Sequence, residues 1–287
     1  MAGLRYAYCS NGLRDHDLDG ALDLIAAHGY SGVALTLDHG HLDPFAADLS
    51  ALLRALRRRL DDRGLSVVVE TGARFLLDPH RKHEPTLLSD DGRDRRLDLL
   101  RRAVHIADAL DAGAVHLWSG RLPEGMPAAT GWDRLVAGCA SLLSEADRLG
   151  VLLAFEPEPG MLVERIDDWR RLAAALGDHP RFGITLDLGH CLCVEDRTVP
   201  ECITGVADRL FHVQIEDMRR GVHEHLMFGE GDLDVPTALG ALSDARYQGL
   251  VAVELSRHSH TAHTTVPDSI DLLHRAERTA AARETAA

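Results

Sequence analysis

The chain has 287 residues, 45% of them hydrophobic, and carries 31 Lys and Arg against 45 Asp and Glu, a formal net charge of −14. This excess of negative charge argues against a general binder of nucleic acid or of anionic membranes, because such proteins neutralise phosphates with surplus Lys and Arg. Lys82 is the only lysine, so chemistry through a lysine Schiff base has one candidate and is disfavoured.

The cysteines and the apolar runs indicate the compartment. Five cysteines are present and none forms a C-x-x-C pair, which favours reduced thiols over a disulfide framework. Residues 1–15 lack the long apolar stretch of a signal peptide. No run approaches the roughly 20 apolar residues that a membrane span needs. We therefore expect a soluble, cytoplasmic protein.

Short β-rich runs alternate with longer amphipathic stretches along the whole chain. Most of these runs, such as VVV and VLLAF, are continuously apolar, which is typical of strands buried on both faces of a parallel sheet. The stretches between them carry apolar residues at helical spacing, for example Leu52, Leu56 and Leu60. The predicted strands are residues 4–7, 32–37, 66–70, 114–118, 151–156, 182–187, 210–215 and 250–254.

Eight strand–helix units predict an α/β fold, a single closed (β/α)8 TIM barrel over residues 1–287, with residues 276–287 as a frayed C-terminal tail. A doubly wound sheet is the alternative, but no Gly-rich phosphate turn follows any strand. Two predicted loops, residues 73–93 and 218–235, exceed the usual length of about 2–6 residues. Both follow strand C-termini, the face on which TIM barrels carry their active sites.

Six predicted strands end in a carboxylate or an imidazole, and four of these come from successive units: Glu156, Asp187, His212 and Glu254. Charges gathered in one small volume cost several kcal/mol each to desolvate unless a cation or one another compensates them. Three carboxylates and one imidazole suit Mn²⁺, Mg²⁺ or Co²⁺, with Zn²⁺ as a further option. We predict one divalent metal ion here. The alternative is that each acid caps a helix or forms a salt bridge. For a single residue we would prefer this alternative, but for four residues at equivalent strand ends we prefer the metal site.

The strings FEPEPG, TLDLGH, FHVQIED and VAVELSR, in this order, resemble the xylose isomerase-like barrel superfamily. This superfamily includes ketose 3-epimerases, hydroxypyruvate isomerases, inosose dehydratases and metal-dependent apurinic endonucleases. The resemblance implies that Glu156, Asp187, His212 and Glu254 hold one divalent cation, usually manganese, with Glu156 and Glu254 as the acid/base pair. It also implies that His190, which ends the D-x-x-H motif, contacts the substrate.

These residues predict a divalent-metal-dependent isomerase or epimerase of a sugar, sugar derivative or cyclitol. A metal that bridges a carbonyl and the neighbouring hydroxyl acidifies the C–H between them. One glutamate then removes the proton, leaving an enediolate, and the other returns a proton on the opposite face. Which glutamate abstracts the proton is left open. An inosose dehydratase-like lyase is the runner-up, because the same enediolate can expel a β-hydroxyl group.

Further polar residues near the strand ends are candidates for substrate contact: His190, His116, Glu70, Glu158, Arg219 and His225. Sugar epimerases of this group often place an arginine directly after the aspartate of the seventh-strand motif. Here Met218 follows Asp217, and Arg219 comes one step later, which puts a simple free ketose in doubt.

Two charged segments have a functional and a structural interpretation. The H-x-H of His223 and His225 would suit a second metal, but a charged surface is the preferred interpretation. The basic third loop, with Arg74, Arg81 and Lys82, would suit a phosphate or a carboxylate, and a solvated loop is preferred.

Two other function classes are disfavoured. An apurinic endonuclease needs a phosphate-binding face, which a net charge of −14 does not suggest. A barrel that binds a metabolite without turnover would not need four candidate ligands and two candidate bases. We expect a small-molecule carbohydrate or cyclitol as partner, with no nucleic acid and no membrane, and leave homo-oligomerisation, the substrate and the metal open.

Overall fold

A computed structural model of the protein describes residues 3–72 and 74–286. Residues 1, 2, 73 and 287, which fall within the predicted domain, lie outside the described residues. The strands are β1 (Arg5–Cys9), β2 (Gly32–Thr36), β3 (Ser66–Glu70), β4 (Val115–Trp118), β5 (Leu153–Glu156), β6 (Phe182–Asp187), β7 (Leu210–Ile215), β8 (Asp217–Arg219), β9 (Val222–Leu226) and β10 (Leu250–Val253). The helices are α1 (Leu18–Ala27), α2 (Leu49–Arg63), α3 (Arg93–Leu110), α4 (Ala128–Leu149), α5 (Ile166–Ala175), α6 (Leu188–Val194), α7 (Val199–Val206), α8 (Val235–Asp244) and α9 (Ala262–Ala286).

Eight parallel strands close a barrel in the order β1-β10-β7-β6-β5-β4-β3-β2, which confirms the predicted (β/α)8 TIM barrel. At least one helix lies between each pair of consecutive barrel strands. The apolar runs are buried along their whole length, as in β2, where every residue is buried. Gly32 allows close strand pairing, because a Cβ atom there would lie 2.6 Å from the carbonyl oxygen of Ser66.

Helix ends follow local sequence signals. Asp17 caps α1 by accepting a hydrogen bond from the amide of Gly20, and Gly64 ends α2 with a φ of 63°, which glycine adopts without steric cost. Asp187 caps α6 in the same way, since its Oδ1 accepts from the amide of His190 at 2.8 Å. The division of the segment after β6 into α6 and α7 was not predicted, although Thr198 and Glu201 form a capping box at the start of α7.

The long loop predicted after the seventh strand contains an antiparallel hairpin, β8–β9, which pairs Asp217 with Leu226. Asp217 is buried and holds the segment in place. Its Oδ1 accepts from the amide of Leu233 at 2.9 Å, and its Oδ2 accepts from the amide of Gly229 at 2.8 Å. The hairpin therefore has a fixed connection to the barrel, and it carries His223 and His225 over the strand ends.

The C-terminal segment is helical to Ala286 as part of α9. The Glu277 carboxylate accepts hydrogen bonds from the amide of Leu4 at 2.9 Å and from the hydroxyl of Tyr6 at 3.1 Å, so α9 covers the start of β1. Among the described residues, no helix is long and apolar enough to cross a membrane.

Replacing Asp217 with alanine is expected to lower the free energy of unfolding by roughly 2–4 kcal/mol, because each buried amide left without an acceptor costs about 1–3 kcal/mol. Urea denaturation followed by circular dichroism measures the change. Glu230→Ala, an exposed carboxylate in the same segment, is the matched control and should stay within about 0.5 kcal/mol of wild type. Equal losses in both variants would contradict the anchoring role of Asp217.

Candidate functional site

A cavity of about 800 Å³ opens at the carboxyl ends of the barrel strands. The carboxyl and amide groups at these strand ends form the cavity floor: Glu70, Glu156, Gln214 and Glu254, with His116 beside them. Apolar side chains such as Trp118 and Met161 contribute to its walls. The cavity lies on the face of the barrel predicted to carry the site.

Glu156, at the end of β5, is held by two histidines. Its Oε2 lies 2.7 Å from Nε2 of His116, and its Oε1 lies 3.3 Å from Nδ1 of His190. Burial alone would raise the pKa of Glu156, but the two imidazoles outweigh burial and hold it well below its usual range. Burial likewise opposes protonation of His116, yet Glu156 raises the pKa of this imidazole to about 9. Each group thus favours the charged form of the other.

Glu254, directly after β10, is held by amides instead. Its Oε1 accepts from Nδ2 of Asn11 at 2.9 Å, and its Oε2 accepts from Nε2 of Gln214 at 2.8 Å. The same Gln214 nitrogen donates to Glu70 at 3.0 Å. Burial, together with the negative charges of Glu70 and Glu156, raises the pKa of Glu254 to about 7.

Several buried oxygens around this floor have no hydrogen-bond partner among the described residues. They are Oδ2 of Asp187, Oε1 of Gln214 and both carboxylate oxygens of Glu216. Burial and the proximity of Asp187 raise the pKa of Glu216 well above its usual value. Buried acceptors left without donors are costly, and a bound cation is one way to satisfy them.

The predicted metal ligand His212 lies two residues before the β7 residue that pairs with Asp187, and its role stays a prediction. In the register of β6 with β7, Asp187 pairs with Gln214, whereas His212 pairs with Thr185. His212 is fully buried below the floor, does not line the cavity, and has its Nε2 3.7 Å from Oε1 of Glu70. Gln214 therefore stands where the sequence placed His212.

Gln214 and Glu216 are site residues that the sequence analysis missed. A signal for them was present, because side chains alternate along a strand and residues 212, 214 and 216 point to the same side. Glu216 packs against Gly189, where a Cβ atom would lie 2.2 Å from its Oε1. A larger residue at this position would therefore displace the Glu216 carboxylate from its place beside α6.

A histidine cluster, formed by His190, His223 and His225, lies beside Glu158 at the edge of the floor. The Nε2 atoms of His190 and His223 are 3.1 Å apart, and Nε2 of His223 lies 3.8 Å from Oε1 of Glu158. Burial and the charge of Glu156 raise the pKa of Glu158 to about 7. Three of the predicted substrate-binding residues, His190, His225 and Glu158, are thus brought together.

Three groups of described residues have donor atoms close enough together, within 4.8 Å, to share a metal ion: His190, His223 and His225; Glu156, Glu158 and His190; and Glu216, His225 and Glu254. Neither Asp187 nor His212 belongs to any of them. Of the other predicted substrate contacts, Glu70 and His116 line the cavity, whereas Arg219 is exposed on β8 and does not.

The family model of the xylose isomerase-like TIM barrel matches residues 22–276. The chain belongs to this family. It is 28% identical over 149 residues to the rhizopine catabolism protein MocC of Rhizobium meliloti. The aligned region covers 46% of this chain and 45% of that protein. It is 25% identical over 240 residues to fructoselysine 3-epimerase of Shigella flexneri, and the aligned region covers 79% of this chain and 81% of that enzyme. The chain thus spans less than half the length of MocC.

The fold is shared with a solved 3-keto-D-glucoside 4-epimerase from E. coli, at a TM-score of 0.74 and 16% identity, covering 95% of this chain and 99% of that one. At this level of identity the likeness shows the fold alone. The family membership confirms the resemblance drawn from the strand-end motifs.

His83, on the long β3–α3 loop, is expected to make the free energy of unfolding depend on pH. It packs edge-on against Trp118 at 5.3 Å, and burial, with the nearby charges of Lys82 and Arg96, lowers its pKa to about 3. In the unfolded chain a histidine binds its proton near pH 6.5. Lowering the pH from 7 to 5 therefore favours the unfolded state at this side chain, by up to about 2 kcal/mol.

His83→Gln should reduce the loss of stability between pH 7 and pH 5, measured as the free energy of unfolding in urea at each pH. The control is His80→Gln, an exposed histidine on the same loop, which should retain the wild-type dependence. A His83→Gln variant with the full wild-type loss would show that this imidazole is not held neutral.

Proposed function

We propose that the protein is a divalent-metal-dependent isomerase or epimerase of a sugar, sugar derivative or cyclitol. Membership of the xylose isomerase-like family and the 3-epimerase among its relatives support the reaction class. The observation that supports the metal is the set of buried oxygens without a hydrogen-bond donor on Asp187, Gln214 and Glu216, which lie near the carboxylate of Glu254.

Glu156, Asp187, Gln214 and Glu254 are the residues that we propose to hold the ion, with Gln214 in place of His212. The register that pairs Asp187 with Gln214 supports this choice, as does the unpartnered side-chain oxygen of Gln214. Three carboxylates and an amide oxygen are hard donors, which favours Mn²⁺, Mg²⁺ or Co²⁺ over Zn²⁺. The donor set thus fits the divalent ion expected from the sequence, with manganese as the first candidate.

A bound divalent ion would supply Lewis-acid polarisation of a substrate carbonyl and stabilise the negative charge that develops beside it. The side chains of Glu156 and Glu254 are then the proton-transfer groups. They belong to strands separated by β6 and β7 in the barrel, so they approach the cavity from different sides. This separation suits the removal of a proton from one face of a carbon and its return to the other.

The neighbours of the two glutamates orient them for this work. Glu156 lies 2.7 Å from Nε2 of His116 and 3.3 Å from Nδ1 of His190, and Glu254 accepts hydrogen bonds from Asn11 and Gln214, so each carboxylate has two neighbours of defined position. Side chains held in this way need little reorganisation during proton transfer. A dehydratase would share the same first proton removal, and NMR identification of the product separates an isomer from a dehydrated compound.

Removal of a ligand should be visible in the metal content of the purified protein, measured by inductively coupled plasma mass spectrometry after dialysis against limiting Mn²⁺. Wild type should retain about one equivalent, and Asp187→Asn and Gln214→Ala should each lose most of it, since both variants remove a metal-facing oxygen. His212→Gln is the matched control and should retain the metal. Loss in His212→Gln with retention in Gln214→Ala would reinstate His212 as the ligand.

The reaction class is tested by exchange of substrate C–H protons into D₂O, followed by ¹H NMR over a panel of ketoses and inososes with Mn²⁺ present. We expect exchange with wild type and a loss of at least about 100-fold in Glu156→Gln and in Glu254→Gln. Melting temperatures near the wild-type value would show that these variants are folded. Metal binding without exchange on any member of the panel would favour a metabolite-binding barrel.

A further inference from the structure

Basic side chains gather at the opening of the cavity, where the proposed proton transfer does not use them. The cavity mouth comprises five cavity-lining residues: Arg14, Arg74, Lys82, Arg121 and Arg257. They come from four separate loops, after β1, β3, β4 and β10. In a chain of net charge −14, five cations from four loops thus line one cavity, together with acids that include Asp38, Glu84 and Glu158.

Acidic side chains do not neutralise most of this set. Arg257 forms an ion pair with Glu224 at 3.1 Å, between two solvent-exposed side chains. Within the described part of the chain, the other four have no carboxylate oxygen within 4.0 Å of their side-chain nitrogens. Salt bridges elsewhere on the surface are frequent, for example between Arg81 and Asp78 at 2.7 Å on the same loop.

Two acids beside the mouth, Asp38 and Glu84, are engaged within their own loops, whereas Glu158 acts on Lys82 and Glu254 acts on Arg74. Asp38 accepts hydrogen bonds from the amides of Gly40 and His41 at 2.9 Å and 2.8 Å. Glu84 accepts from the hydroxyl of Ser89 at 2.6 Å. These carboxylates stabilise turns, and the cations of the mouth are left facing the cavity.

Like charges at the mouth act on one another. Burial lowers the pKa of Arg74, and the positive charges of Arg14 and Arg257 lower it further. The pKa of Lys82 is lowered by burial and then by Arg74, although Glu158 partly opposes this effect. Such a cluster is destabilising by itself, and a bound anion removes the repulsion.

We propose that the cavity mouth is an anion-binding subsite, and that the substrate carries a phosphate or a carboxylate at the end remote from the reacting carbon. The position of the reacting carbon, over the carboxylates of the floor, rests on the proposed function. Arginine forks and a lysine are the side chains that bind these two anions through charge-assisted hydrogen bonds. A volume of about 800 Å³ leaves room for a polyhydroxy chain between floor and mouth.

The subsite also changes the interpretation of the basic third loop, which the sequence analysis took as solvated. Arg74, Lys82 and His83 line the cavity, whereas His80 and Arg81 face away from it. The loop thus has a cavity-facing set and a solvated set, and Arg81 provides an internal control beside Lys82.

Three probes of matched size test the inference without any turnover: sorbitol, sorbitol 6-phosphate and gluconate. None has an aldehyde or a ketone group, so isothermal titration calorimetry of the full chain in a phosphate-free buffer measures binding alone. We expect at least one anionic probe to bind about tenfold or more tightly than sorbitol, and the advantage to shrink as salt rises. Preference for sorbitol 6-phosphate identifies a phosphate site, and preference for gluconate a carboxylate site.

Variants of the mouth locate the binding. Arg74→Gln and Lys82→Gln should each lower the affinity for the preferred anionic probe by roughly tenfold. Arg81→Gln should bind this probe with the affinity of wild type. Because Arg74→Gln and Lys82→Gln are tested separately, the inference remains testable if one of the two variants misfolds. Anionic probes that bind no more tightly than sorbitol, or an equal loss in Arg81→Gln and Arg74→Gln, would overturn the subsite.

Failure of the subsite is distinguishable from failure of the proposed function. Proton exchange on neutral sugars, with no preference for the anionic probes, would reject the subsite and retain the enzyme. Tight, Arg74-dependent binding of an anionic probe, with no exchange on any substrate, would retain the subsite and reject the isomerase.

Discussion

Buried negative charge at the carboxyl ends of the strands is the constraint on which the site depends. The side chains of Glu70, Glu156, Asp187 and Glu216 are almost completely removed from solvent, and each ionised group costs several kcal/mol to bury without compensation. Protonated or neutral donors compensate part of this charge, as His116 does for Glu156 at 2.7 Å. Oδ2 of Asp187 and both carboxylate oxygens of Glu216 accept no hydrogen bond from the described residues, and the nearest imidazoles, of His190 and His225, lie 3.7 Å and 3.8 Å away. The incomplete compensation is the physical reason why this floor suits a cation.

The barrel determines which residues reach that floor. Alternate side chains of a parallel strand point into the barrel, and successive inward residues lie about 6.6 Å apart along the strand, at about 3.3 Å per residue. On β7 the inward series contains His212 and Gln214, and the stagger between β6 and β7 decides which of them stands level with Asp187. A register irregularity between Ile184 and Thr185 is part of that stagger. Which β7 side chain stands level with Asp187 is therefore a matter of depth in the barrel.

This also explains how far the sequence could predict the protein. The barrel followed from continuous apolar runs, and β3, β6 and β7 have the predicted bounds. The cavity-lining carboxylates Glu70, Glu156 and Glu254 followed from their positions at strand ends. His212 satisfied the same pattern, but a motif read along one strand does not contain the register with its neighbour. Arg219 lies outside the cavity for a related reason, because the β8–β9 hairpin that turns it to solvent depends on hydrogen bonds to Asp217.

The same argument separates the floor of the cavity from its mouth. Floor residues are fixed by strand register, and a shift of one position would turn them away from the cavity. Mouth residues such as Arg74 and Arg121 lie on loops, which change sequence and length without altering the barrel. The net charge of −14 describes the whole surface, but charges farther than about 8 Å are largely screened at physiological salt. The distant acids of the surface therefore act weakly on an anion at the opening, so the net charge of the chain does not argue against the proposed subsite.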